Sequence, residues 1–450
     1  MRTRHCRSLL GLVLAGIGIV VLLAACGPSP PPAEDDSQPT FLPDRTPIIL
    51  VPGVSQEVGR ELRGGSLLPL SALALRTDAE TLGSLGDPRF PVDGTDPAQV
   101  PLRLDQALRG TDVRGLQGLI RRLIQEAGYV RGNPERPRDK DYRENPPEAR
   151  ADRTRIASLY VLYYDWRRDV PESACLLAHR IARIRAATGA ARVLLVGHSL
   201  GGFVARYYLR YGGRDALRDR DCPLAEGAAA AEVNSPGALF ADRLVMLGAP
   251  HRGSAQAFRA LLQDVSLFGL IGLGLREAVS TMPLAWELLP SPDGEGRVPI
   301  LVNQRTEERV ALYHLRTWLD RGWLVGEPSD GERRRFVETM LARAVALHQR
   351  MDGRHPAEES VRRLAVGSEC RPTPARAVAV DGKVEFLSRL QTDHPLFDRA
   401  SQPGDGVITA ESSLGLPPSP TLATFSACAG HSTYLDDPET VTRVVRFLLR

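Results

Sequence analysis

The pentapeptide Gly197-His198-Ser199-Leu200-Gly201 sets a serine on what reads as a sharp turn, directly after the apolar run 193–196 and just before a helical stretch over 203–211. A serine in that setting forms a nucleophile elbow, because the turn carries its hydroxyl out of the end of a strand, where it can attack a carbonyl carbon. Gly197 and Gly201 offer no side chain to collide across the turn, and Gly202 allows the helix to pack closely. The bare pattern arises often by chance; its strand-turn-helix setting is what makes it informative.

A hydroxyl nucleophile needs a base, and the base needs an orienting carboxylate. With this kind of elbow the chain order is serine, acid, histidine. Of the nine histidines, His251, His314, His348, His355, His394 and His431 follow Ser199, and only His431 also follows the best-placed acid, Asp405. Asp405 sits in Gly404-Asp405-Gly406, where the glycines permit a tight loop, although a plain surface turn would use the same residues. His431 follows the last apolar run and precedes the last helical segment. An oxyanion formed at the serine needs backbone donors: the N–H of Leu200, and that of Val54 after Pro52-Gly53 at the end of the first apolar run.

These residues have to be positioned by a scaffold. Short apolar runs at 47–51, 159–164, 193–196, 244–247, 364–366 and 422–425 alternate with longer segments of helical period, which predicts a mostly parallel sheet covered by helices. The stretch 176–187 places Leu176, Leu177, Ile181 and Ile184 at helical spacing and leads through Gly189 into the elbow strand. The closing stretch 441–449 does the same with Val441, Val444, Val445 and Leu448. Asp381-Gly382, between alternating runs over 375–387, predicts a hairpin.

Taken in order, Pro47-Ile48-Ile49-Leu50-Val51-Pro52-Gly53, Tyr164-Asp165-Trp166-Arg167, the elbow, and Gly248-Ala249-Pro250-His251-Arg252-Gly253-Ser254 resemble the motifs of lecithin:cholesterol acyltransferase-like proteins and related lipases. Leu284-Ala285-Trp286-Glu287-Leu288-Leu289-Pro290 and Gly404-Asp405-Gly406-Val407 continue the resemblance, which spans most of 47–450 as separated motifs. It implies an α/β-hydrolase fold over 47–450 with a helical lid or cap inserted at 251–360. It also implies acyl transfer from an ester through Ser199, Asp405 and His431, to water or to an alcohol, with no cofactor and no metal. A long, charged, proline-broken insertion at 56–155 carries no substrate motif of that family. After Ser254, apolar residues from Phe258 to Leu275, loosened by Gly269, Gly272 and Gly274, read as a mobile apolar cover or a buried cap helix. Arg333-Arg334-Arg335 reads as a solvated helix face, with contact to anionic lipid heads as the alternative.

The N-terminus has the pattern of an export signal over 1–25: Arg2, Arg4 and Arg7, then an apolar run at 9–23 too short to span a bilayer, then small residues. Leu23-Ala24-Ala25-Cys26 resembles a bacterial lipobox. Cys26 is then the lipidation site, residues 26–46 a proline-rich tether, and the expected location the cell envelope, anchored to a membrane. Beyond Cys6 and Cys26, four cysteines remain, Cys175, Cys222, Cys370 and Cys428. Export predicts disulfides among them; spacing leaves three pairings open, of which Cys175–Cys222 with Cys370–Cys428 staples neighbouring elements. Their spacings match no zinc pattern. A net charge of +3 over 450 residues gives no reason to expect a nucleic-acid partner. The expected partner is an ester or lipid substrate. The expected function is a serine hydrolase of the lipase or esterase type, with an O-acyltransferase as the alternative and a non-catalytic envelope binding protein as the outside one.

Overall fold

Ile48-Ile49-Leu50-Val51 has no polar position to offer to water, and it becomes an interior strand buried on both faces. The computed structural model describes residues 46–54, 116–152, 154–263, 275–293, 297–303, 305–380, 383–387 and 390–450. In chain order the strands are β1 (Ile48–Val51), β2 (Arg131–Gly132), β3 (Leu159–Val161), β4 (Val193–His198), β5 (Ala241–Leu247), β6 (Val298–Leu301), β7 (Glu307–Val310), β8 (Arg362–Gly367), β9 (Arg371–Pro374), β10 (Ala377–Val380), β11 (Lys383–Glu385), β12 (Ser401–Gly404) and β13 (Leu422–Ser426). Seven of them form one sheet in the order β13-β8-β5-β4-β1-β3-β2, with every neighbouring pair parallel. All six apolar runs read from the sequence lie in this sheet. The two-residue β2 has no such signal and is held by its register on β3.

From β1 the chain first lays β2 at the far edge and then β3 between β2 and β1, and afterwards lays β4, β5, β8 and β13 on the other side of β1. Strand order therefore reverses between β1 and β4. In an open α/β sheet the crevice beyond the carboxyl ends at such a reversal is where ligands bind. Ser199 follows β4 directly.

The main helices are α1 (Gln117–Gln125), α2 (Val170–Thr188), α3 (Leu200–Tyr211), α4 (Ala255–Leu262), α5 (Pro283–Glu287), α6 (Gly331–Met351) and α7 (Pro438–Leu449). Helix α2 starts six residues before the apolar period does. Asp169 caps it by accepting the Glu172 N–H at 2.8 Å, Pro171 stands in its first turn, and Gly189 ends it at φ 72°. Helix α7 buries Val441, Val444, Val445 and Leu448, the face its spacing predicts.

Between β5 and β8 the chain leaves the sheet and builds a cap from α4, α5, α6 and the hairpin β6–β7. Its core is aromatic: Trp286 and Trp318 ring centroids lie 4.8 Å apart, and Phe258 meets Trp323 at 5.5 Å. The hairpin predicted over 375–387 is β10 against β11, with Val380 opposite Lys383. It joins β6 and β7 in a second, four-stranded sheet that no local pattern announces. Arg333 donates to Ser280 Oγ and so links two cap elements, whereas Arg334, which donates to the Pro328 carbonyl just before its own helix, and Arg335 are exposed on the helix face.

Disulfides join Cys175 of α2 to Cys222, and Cys370 to Cys428. They close loops 47 and 58 residues apart in sequence, for which chain entropy gives a stabilisation of about 3–5 kcal/mol each. The signal segment, Cys26, the tether up to residue 45, most of the 56–155 insertion, the glycine-interrupted run at 264–274 and the Asp381-Gly382 turn lie outside the described residues. Among the described residues no helix is long and apolar enough to cross a membrane.

Candidate active site

At the end of β4 the chain passes through Ser199 with φ 54° and ψ −127° before α3 begins. Among the described residues the non-glycines with positive φ are Ser199 and Asp219. A serine held there stores backbone strain, which its surroundings have to hold. The Ser199 N–H donates to the Leu247 carbonyl of β5 at 2.7 Å, and the Gly202 N–H closes onto the Ser199 carbonyl at 3.0 Å. Gly201 has to lack a side chain, since a Cβ there would run into the Val51 and Pro52 carbonyls. Gly53 faces Ser199 itself: a Cβ on it would stand 2.6 Å from Ser199 Cβ.

The three side chains selected by chain order meet at this turn. Nε2 of His431 lies 2.9 Å from Ser199 Oγ, and its Nδ1 lies 2.8 Å from Asp405 Oδ2. A carboxylate can only accept, so Nδ1 carries the proton and Nε2 is free to accept from the serine hydroxyl. Their loops are tied together as well, the His431 N–H donating to the Asp405 carbonyl at 3.1 Å. Asp405 Oδ1 accepts from Val407 N–H at 2.9 Å and Ile408 N–H at 2.7 Å. Burial by itself raises the Asp405 pKa, but the charge on His431 and these donors outweigh it and hold the carboxyl below its usual value. The carboxylate therefore stays ionised at neutral pH.

Three residues that chain order does not select complete the arrangement. The Tyr434 hydroxyl donates to Asp405 Oδ2 at 2.9 Å, giving that oxygen a second donor beside His431. Nothing in the sequence distinguishes this tyrosine. His198, the variable residue of the elbow, lies with Nε2 2.6 Å from the His431 carbonyl; burial, and then the charge of His431, lower its pKa to about 4. It is thus a neutral donor bracing the histidine loop, not a second base. Tyr164 opens the Tyr164-Asp165-Trp166-Arg167 motif, and its hydroxyl donates to the Pro52 carbonyl at 2.8 Å, which steadies the loop facing Ser199. The motif was visible in sequence; the contact it makes was not.

Val54 follows Gly53 in the loop that faces Ser199 and Leu200 opens α3, and neither backbone N–H is taken by a hydrogen bond among the described residues. Free donors beside a nucleophile are what a developing oxyanion requires. His251, set aside by chain order, is buried against Phe203 with ring centroids 6.2 Å apart. Among the described residues no group of three or more His, Cys, Asp or Glu side chains could hold a metal ion.

Tyr434→Phe removes one hydroxyl donor from the carboxylate and leaves the ring packed. A lost hydrogen bond to a charged group is worth about 1.5–3 kcal/mol, so kcat for ester cleavage should fall on the order of tenfold or more. Steady-state kinetics at saturating ester measures this, and an unchanged kcat would reduce Tyr434 to packing.

Residues 153–298, from before β3 through the elbow to the start of β6, match the family model for lecithin:cholesterol acyltransferase. Over that stretch the chain is lecithin:cholesterol acyltransferase-like. In structure the chain is similar to one in the crystal structure of the Tle4-Tli4 complex, with TM-score 0.53 and 14% identity over 90% of this chain and 98% of that one. Bacillus licheniformis lipase BlEst2 in its mature form is also similar, with TM-score 0.36 and 12% identity over 91% and 95%. At 14% identity the first likeness speaks for the fold, an α/β-hydrolase. No curated protein sequence matches. With that family match, the chain is an ester hydrolase or acyltransferase.

Proposed function

We propose that the chain cleaves carboxylic esters of lipids through an acyl-enzyme on Ser199, with His431 as general base and acid and Asp405 as its orienting carboxylate. The observation that carries this reading is the unbroken relay from Ser199 Oγ through His431 to Asp405, at 2.9 and 2.8 Å. His431 Nε2 takes the Ser199 proton as Oγ attacks the ester carbonyl carbon. Charge collects on the carbonyl oxygen, where the Val54 and Leu200 amides donate to it. As the intermediate collapses, His431 returns the proton to the leaving alcohol and the acyl group stays on Oγ. A water activated by the same nitrogen then releases the acid; an alcohol in its place would give a new ester.

Hydrolysis is favoured as the main outcome because water is the abundant acceptor unless a site excludes it. Phe258 and Leu261 of α4 are buried in the core of the cap, as in a cap helix, so the family likeness is what supports a lipid as substrate. The export pattern and Cys26 support a place in the cell envelope, anchored by acylation. Fatty-acid labelling of the expressed chain that persists in Cys26→Ser would remove the anchor from this account.

A serine-directed fluorophosphonate tests the nucleophile directly. The folded protein should be labelled stoichiometrically on Ser199, and absence of label, or equal label on Ser199→Ala, would overturn the reading. Product analysis with and without an added alcohol then separates hydrolysis from transfer.

A further inference from the structure

Arg371 opens β9 just beyond the carboxyl end of β8, on the same edge of the sheet that carries Ser199, Asp405 and His431. Its side chain lies across both loops that supply the relay. A Cβ on Gly430, the residue before His431, would stand 2.9 Å from the guanidinium carbon, and one on Gly406, the residue after Asp405, would stand 3.8 Å from Arg371 Cδ. A side chain at Gly430 would enter the space in which the guanidinium lies, and at Gly406 it would only touch the stem, so it is the bare backbone of Gly430 that lets the arginine rest against the base loop. The Cys370–Cys428 disulfide, next to Arg371 on one side and two residues before Gly430 on the other, clamps that backbone and the arginine together.

What the guanidinium lacks is a partner. It is exposed and makes no ion pair or hydrogen bond among the described residues. Arg252, which follows β5 at the same edge, is occupied, with Glu411 at 3.7 Å and the Gly415 carbonyl at 3.2 Å. A planar, five-donor cation held beside the base loop with its donors open is suited to a forked contact with an oxyanion such as phosphate. Resting on the ester-cleaving role proposed above, we propose that Arg371 is a specificity-determining residue that receives an anionic group of the substrate, of the phosphate class, a few ångströms beyond the scissile ester.

The test uses two short-chain esters dissolved as monomers, which removes any contribution from a lipid surface: one bearing a phosphodiester near the scissile bond, the other its uncharged counterpart. The readout is the ratio of kcat/KM for the anionic over the neutral ester, because a merely disturbed relay lowers both alike. Arg371→Ala should lower this ratio about ten- to a hundredfold, and Arg371→Lys, which keeps the charge and loses the fork, should fall between. A ratio unchanged in Arg371→Ala would overturn the proposal. So would loss of the ratio only on vesicles of anionic lipid and not with monomers, which would make Arg371 a contact to the membrane surface. A wild-type protein that cleaves neither ester would instead remove the hydrolase reading, and the proposal with it.

Discussion

Ser199→Ala should lower kcat for ester cleavage by roughly a millionfold, and His431→Ala should do nearly the same, because nucleophile and base act as one unit. The decisive comparison is the double variant. Once Ser199 has no hydroxyl, His431 has no proton to accept, so Ser199→Ala/His431→Ala should be no slower than either single variant. Asp405→Asn should cost on the order of ten thousandfold: the amide fits the site, but its NH2 can turn toward Nδ1 and favour the wrong tautomer of His431. Steady-state kinetics on one chromogenic ester would read all four, each checked for a wild-type circular-dichroism spectrum. Additive losses in the double variant would mean that serine and histidine serve separate steps, and the relay geometry would then have a different purpose.

Arg343→Ala should destabilise the protein by about 3–5 kcal/mol, because it leaves buried charge unpaired. Arg343 of α6 pairs with Asp169 at the start of α2, stands 3.5 Å from Asp215, and lies 3.8 Å from Glu287 at the end of α5. Three carboxylates share one guanidinium where the cap meets the helices flanking the sheet. Burial and the neighbouring carboxylates raise the Asp169 pKa to about 6, and burial together with Asp169 raises that of Glu287 well above its usual value.

The pH dependence follows from the sign of these shifts. A carboxyl that holds its proton more tightly in the folded state favours folding while it is protonated, and that contribution fades as pH rises from its ordinary value near 4 through its folded value. For Asp169 the window is about pH 4 to 6. The penalty of Arg343→Ala should therefore be largest near pH 7.5 and shrink toward pH 5.5, where the carboxyls can protonate. Glu287→Gln, which keeps an oxygen for the Val170 N–H that Glu287 Oε2 now accepts at 2.8 Å, should be neutral or mildly stabilising at pH 7. Denaturant melts of both variants across this range measure the effect. A penalty independent of pH would show that Arg343 acts by packing its stem rather than by its charge.

The strands and the elbow were legible because their signals are local. Six apolar runs became strands of one parallel sheet: five are largely buried, as a run with few polar positions requires, whereas β13, with Thr424 in it, lies at the edge and is half-buried to exposed. The Gly-x-Ser-x-Gly turn identifies itself because its glycines answer a steric demand made within a few residues. Asp405 and His431 were reached by order along the chain, a weaker filter that nonetheless selected the two side chains found at hydrogen-bond distance from the serine relay.

What the sequence could not express was partnership across distance. Tyr434 on the carboxylate, Tyr164 on the Pro52 carbonyl and His198 under the His431 loop are ordinary residues until the fold closes 29, 112 and 233 positions of chain to bring them into contact. The second sheet is of the same kind, since β6 and β10 find each other only after the chain between them has folded. Periodicity and turn chemistry are properties of neighbours, so sequence by itself determined the sheet, the elbow and the chemical type of the candidate nucleophile. Which donors hold the carboxylate ionised, which cysteines pair, and which cation was left free beside the site were decided by tertiary packing, because a hydrogen bond or a charge pair has no signature until both of its halves are in place.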